Sequence, residues 1–291
     1  MDVYVVRDVI AIFNCLQLLG LILLLAVLVP ALFSAHIHRM RTWHAMVISG
    51  IVYNFGYMLL MILGRQLGPA PSFALCLFQS CLIYCAPVLL VSFSLAFVIE
   101  VFLVLTDAIY GIPLASSTRV HKLLLAVPSL IYMIVFSTTL LIGLQERETV
   151  KRDEWSLYCH SAASSPTLIT ATFVLIEAST MIILQVSMVI ILWKNKRRLK
   201  SNGANDNLSL IFPLSLFFRS LMFAVYILLG IGISASIIPS PTGSSPVWKM
   251  TLTTPPIAMA LSFGTQKDTI AFYWRYKRDD YREGIGSNKL V

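Results

Sequence analysis

Residues 9–33 read VIAIFNCLQLLGLILLLAVLVPALF, an apolar run broken only by Asn14, Gln17 and Gly20. A helix needs roughly 20 apolar residues to cross the hydrocarbon core of a bilayer. The run is longer than a signal-peptide core and no small-residue cleavage site follows it, so it reads as an anchor that is retained. Six further runs of similar character follow. With the first at about 9–34, they fall at about 43–64, 73–105, 121–144, 166–193, 208–236 and 248–272. The composition agrees. Of the 291 residues, 57% are hydrophobic and 12% charged, against about 25% charged in soluble domains. A mean hydropathy of +0.80 excludes a soluble globular protein, and disorder requires the opposite balance. The fold class expected is an all-α membrane protein, a seven-helix bundle over residues 1–272, with a cytosolic amphipathic helix and tail over 273–291. The longest connection, about 145–165, leaves no room for a soluble domain, and no internal repeat of the transporter kind is visible.

Lysine and arginine set the expected orientation. Fifteen of the 22 lie in the loops after spans 1, 3 and 5 and in the C-terminal tail; six lie on the other side, and Arg219 falls inside a span. The positive-inside rule places the first group in the cytosol and the N-terminus outside. Proline falls inside several runs, as at Pro87, Pro128, Pro213 and the pair Pro255-Pro256, and serves either as a hinge or simply as a bend that shapes the bundle.

This topology puts Cys76, at the start of span 3, and Cys159, in the long second outer loop, at one surface on the oxidising side. A disulfide between them is expected, the alternative being two free thiols. The same loop carries Trp155, Tyr158 and His160. Pinned by a disulfide, these residues would cover a ligand cavity; otherwise the aromatics belong to the interfacial belt. Ionisable residues inside spans are costly and mark functional candidates. They are Glu100, Glu177 and Arg219. Glu177 lies ~16 Å and Arg219 ~25 Å below the outer surface at 1.5 Å per residue, with Glu100 near the inner end. Arg219 lies between the carboxylates in depth and is expected to pair with one of them, as a switch or as a static bridge. Lys194, Lys196, Arg197, Arg198 and Lys200 form a basic cluster after span 5, suited to anionic lipid and to docking a cytosolic partner. Aromatic and basic residues over Lys267 to Glu283 suit a helix lying in the inner interface, the alternative being a plain disordered tail. The sequon at Asn207 falls on the cytosolic side and is expected to stay unmodified. The five histidines have no metal-ligand spacing, so no metal, no cofactor and no enzymatic role is expected.

An outer N-terminus, seven spans, a span-3 cysteine matched to one in the second outer loop and a basic amphipathic end together resemble a G-protein-coupled receptor. The rhodopsin-like motifs are absent: the inner end of span 3 reads Leu105-Thr106-Asp107-Ala108-Ile109-Tyr110, and span 7 reads Thr254-Pro255-Pro256-Ile257-Ala258. The chain is more similar to the orphan seven-span receptors of mushroom-forming fungi. The stretches that carry the resemblance are Cys76-Leu77-Phe78-Gln79, Tyr84-Cys85-Ala86-Pro87, Tyr158-Cys159-His160, Arg219, and Phe263-Gly264-Thr265-Gln266-Lys267-Asp268. The resemblance implies a multi-pass plasma-membrane protein that meets an unknown extracellular ligand on one face and a heterotrimeric G protein on the other. A transporter or channel is the alternative, but the spans offer few polar residues for a pathway. A retinal protein would need a lysine within span 7, where Lys249 and Lys267 lie only at the ends.

Overall fold

A computed structural model of the chain describes residues 3–34, 39–111, 117–201, 214–237, 246–265, 272 and 274. The helices are α1 (Val3–Phe33), α2 (Arg41–Ile62), α3 (Phe73–Tyr110), α4 (Thr118–Gln145), α5 (Ser164–Ser201), α6 (Leu214–Ile237), α7 (Pro246–Thr251) and α8 (Thr254–Gly264). Helices α1 to α5 are each long and apolar enough to cross a membrane, and α6 carries a shorter apolar stretch over Phe218–Leu229.

Helix α3 is the central element and touches α2, α4, α5 and the connection that follows α4. Its ends are written in the sequence. The Ser72 hydroxyl accepts a hydrogen bond from the Leu75 N–H at 3.4 Å, and Gly111, at φ 68°, ends the helix by donating to Asp107 O at 2.9 Å. This is the N-cap hydroxyl and left-handed C-terminal glycine pattern. At 38 residues it measures about 57 Å, far more than the hydrocarbon thickness. The inward face carries many small side chains, among them Ser80, Cys81, Cys85, Ala86, Ser92, Ser94 and Ala96, all buried. Such residues let neighbouring backbones approach closely where both faces of a helix are apolar. The outward faces stay apolar too, as Leu130, Met133 and Leu141 show on α4. Helix α8 closes the bundle by packing on α1, α2 and α6.

The structure departs from the expected runs in three places. The connection after α4 is not an irregular loop. After a short 3-10 turn at Arg147–Thr149 it forms an antiparallel hairpin of β1 (Val150–Arg152) and β2 (Cys159–Ser161), in the register Val150↔Ser161, Lys151↔His160 and Arg152↔Cys159. Helix α5 runs to Ser201, so the basic cluster expected in a loop lies on its last turns, where cations suit the helix dipole.

The expected seventh span is not one helix to residue 272: α7 and α8 are separated at Leu252 and Thr253, and α8 ends at Gly264. Pro255 and Pro256 have no N–H, so the carbonyls four residues earlier, on Thr251 and Leu252, lose their helical donors. Thr254 Oγ1 donates to Thr251 O at 2.7 Å and Tyr53 Oη to Leu252 O at 2.8 Å, which supplies both carbonyls, as an apolar interior requires. Pro30, Pro87 and Pro128 sit inside continuous helices, so among these prolines a break of this kind belongs to the Pro255-Pro256 pair. Pro213 and Asn207 lie outside the described residues, as does the tail expected to form an interfacial helix, apart from Phe272 and Trp274.

Candidate functional site

The hairpin is a lid, and its fixings can be followed residue by residue. Cys76 on α3 and Cys159 on β2 form a disulfide with a Cα–Cα distance of 5.0 Å. One turn further along α3, the buried Gln79 amide accepts from the Cys159 N–H at 2.9 Å and donates to Gly56 O on α2 at 3.1 Å. Tyr84, also on α3, donates its hydroxyl to Ser161 O at 2.9 Å. Arg152 reaches the carbonyls of Gln66 and Gly68 at 3.3 and 3.2 Å. Gln66 exchanges two hydrogen bonds with Asn14 of α1, at 2.7 and 3.0 Å. The lid is therefore tied to α3 by the disulfide and by the buried Gln79, and to the connection between α2 and α3 by Arg152, with Gln66 linking that connection on to Asn14 of α1.

Its tip points into the bundle. The Asp153 N–H donates to Tyr158 O at 2.9 Å, and the Asp153 carboxylate accepts from the Trp155 N–H at 3.0 Å. This local turn chemistry is typical of aspartate, and it lets Ser156 adopt a φ of 59°. Leu157 is fully buried and Tyr158 is 8% exposed. The Tyr158 ring meets Tyr57 edge-on at 5.5 Å and Phe13 at 6.2 Å. Tyr158 is thus turned inward and is no belt residue, while Trp155 is half-buried against the same core. Lys249 of α7 pairs with the Asp153 carboxylate, and both side chains are almost wholly buried.

His160 is half-buried beside Tyr158, with a ring distance of 6.3 Å. Burial pulls its pKa below 6.5; Asp153 opposes that shift, and Lys249 and Lys151 add to it. Burial raises the Tyr158 phenol, with Tyr57 and Asp153 acting in the same direction.

Beneath the lid the α7–α8 break is held from two sides. Tyr53 of α2 donates to Leu252 O, as above, and the Tyr226 hydroxyl of α6 bonds to that of Thr254. Tyr53 and Tyr57 pack at 4.9 Å, so the rings run without interruption from the break to the lid tip.

The three ionisable residues expected to act as one group stand at separate places. Glu177 on α5 accepts from the Ser92 hydroxyl of α3, and its second oxygen is buried without a hydrogen-bond partner. Glu100 on α3 accepts from the Thr42 hydroxyl of α2 and lies 3.0 Å from His121 Nδ1 of α4. Arg219 on α6 donates to Ser262 O at 2.8 Å, to Thr265 Oγ1 at 2.5 Å and to Thr265 O at 3.0 Å, at the end of α8. Among the described residues no ion pair joins Arg219 to Glu100 or Glu177, so the expected pairing is replaced. The last carbonyls of a helix lack donors, and a guanidinium carries enough N–H groups to serve several of them at once. Lys194 is exposed, and Lys196, Arg197, Arg198 and Lys200 follow it on α5.

Sequence reasoning missed Asp153, Lys249, Gln66 and His121 as parts of these nodes. The depth of Lys249 and the aspartate two residues before Trp155 are visible signals, but their pairing depends on the hairpin. No protein-family model matches the chain, and no curated protein matches it.

Proposed function

We propose that the chain is a cell-surface receptor of the seven-span, G-protein-coupled type. In this reading α6 and the α7–α8 pair complete the seven spans, and the lid end faces outward. An extracellular ligand acts at that end, and a heterotrimeric G protein meets the opposite end, where Glu100, Arg219 and the basic turns of α5 lie. The observation that carries the reading is that the successive helices α7 and α8 are held at the lid, at the break between them and at the far end. Helix α7 holds the lid through Lys249, the break is held by Tyr53 and Tyr226, and the end of α8 is held by Arg219. A change at the lid therefore has a physical route to the far end through one element with a built-in bend. A ligand moves that element only by binding one arrangement better than the other.

Nucleotide exchange on a panel of Gα subunits tests the proposal, with the protein in lipid nanodiscs beside Arg219→Ala. Exchange above the empty-disc rate, altered in the variant, supports it. No exchange, together with ion or solute flux through the same protein in vesicles, favours the transporter or channel reading.

A further inference from the structure

We infer that the seat filled by the lid's own tip is a ligand site for a small aromatic carboxylate. The lid presents two groups side by side, the Tyr158 ring and the Asp153 carboxylate, held together by the Asp153 N–H bond to Tyr158 O at 2.9 Å. Each has its own counterpart in the bundle. The ring meets Tyr57 and Phe13 at 5.5 and 6.2 Å, and the carboxylate meets Lys249. The tip thus fills the space between α1, α2 and α7 with a ring and an anion.

The chemistry of what replaces it follows from what its departure leaves. Lys249 is 6% exposed, and a buried ammonium whose partner has gone is heavily penalised. A neutral phenol would occupy the ring seat and leave that charge unpaired. An amine would bring a second cation to it. A carboxylate without a ring would leave an empty space lined by Phe13 and Tyr57, with the loss of contact that any cavity brings. The occupant that satisfies both counterparts carries an aryl ring and an anionic group.

The tip is also the part of the lid that no covalent bond ties to the helices. Cys159 stays bonded to Cys76 and to Gln79, whereas residues 153–158 lie beyond the paired strands. Their fixings to the rest of the bundle are noncovalent, among them the Lys249 pair, the Tyr158 ring contacts and a long bond from Gln66, in the connection between α2 and α3, to Leu157 O at 3.4 Å. A tethered occupant competes at high effective concentration, so an outside ligand binds the intact protein weakly and a protein with a vacated seat tightly.

The inference rests on the receptor reading for the existence of an outside ligand. Binding is measured without a G protein, so a negative result here leaves coupling untouched and a failure to couple leaves this site untouched. The probe is labelled 4-hydroxyphenylacetate on the full chain in lipid nanodiscs, with tyramine and 4-ethylphenol as competitors. An Asp153→Asn, Tyr158→Ala variant, checked for its disulfide and a cooperative unfolding transition, is expected to bind the probe at least about tenfold more tightly than the unaltered protein. Adding Lys249→Gln is expected to remove that gain, and tyramine and 4-ethylphenol to compete about tenfold less well. In the unaltered protein, saturating probe is expected to raise hydrogen exchange over residues 153–158 while tyramine leaves it unchanged. That arm decides the matter if the variant does not fold. Absence of probe binding to the folded variant, binding indifferent to Lys249→Gln, or an unchanged exchange pattern where only the unaltered protein folds overturns the inference.

Discussion

Asp153 in the lid and Lys249 in α7 lie 96 residues apart and form an ion pair in which each side chain is less than a tenth exposed. It is a charged link between the lid and the helix pair that runs to the opposite end of the bundle. Removing one partner strands the other, at a cost of about 3–5 kcal/mol, whereas removing both charges together costs much less. Asp153→Asn and Lys249→Gln should each lower the thermal unfolding midpoint in lipid nanodiscs, and the double variant should recover most of the loss. Additive losses in the double-mutant cycle would deny the coupling.

The bond from Tyr53 to Leu252 O exists because Pro256 withholds the helical donor. Tyr53→Phe should therefore destabilise the bundle by about 1–3 kcal/mol, the range for a buried polar group left unpaired. In a Pro256→Ala background the restored N–H should make Tyr53→Phe nearly neutral. Equal losses in both backgrounds, read by unfolding, would mean that the phenol packs without supporting the break.

How much of this was legible depended on the kind of information each feature needs. The apolar runs mark α1 to α5 because length and composition suffice, and the Cys76–Cys159 bond needed only that both cysteines reach one surface. The partners of Arg219 and Glu100 needed the rotation of each helix about its axis. With lipid on one side and core on the other, both faces are apolar and periodicity leaves that rotation open. The hairpin was hidden for another reason: strands of three residues at Val150–Arg152 and Cys159–Ser161 are too short to give an alternating pattern. The prolines of α8 were plain, but the break falls upstream of them, at the carbonyls they leave without donors.

His160 gives the lid a pH dependence of definite sign. Burial holds its folded pKa below 6.5, so the detached lid takes up the proton first. The stabilisation from neutral His160 is complete above pH 6.5 and is lost as the pH falls below that value through the folded pKa. Hydrogen exchange over residues 150–161, corrected for intrinsic rates, should show less protection at pH 5 than at pH 7.5. His160→Gln should flatten the difference, and a lid equally protected at both values would contradict this.

The Cys76–Cys159 bond closes a loop with a sequence separation of 83. Cys76→Ser with Cys159→Ser should cost about 2–4 kcal/mol, toward the lower end where α4 survives in the unfolded state within the bilayer. The loss should also appear when the unaltered protein is unfolded with a reductant present, and a midpoint insensitive to reductant would place the lid's stability in its polar contacts alone.

In the proposed receptor, α7–α8 carries a change from the lid to the Arg219 node. The most direct measurement is nucleotide exchange on Gα subunits by the protein in lipid nanodiscs, comparing the unaltered chain, Asp153→Asn and Arg219→Ala. Exchange above empty discs is expected, with both variants shifting it by about 5–150-fold, the range of a coupling of about 1–3 kcal/mol. Exchange that responds to Arg219→Ala but not to Asp153→Asn would separate the lid from the far end and contradict the claim. No exchange above empty discs with any subunit would contradict the receptor reading itself.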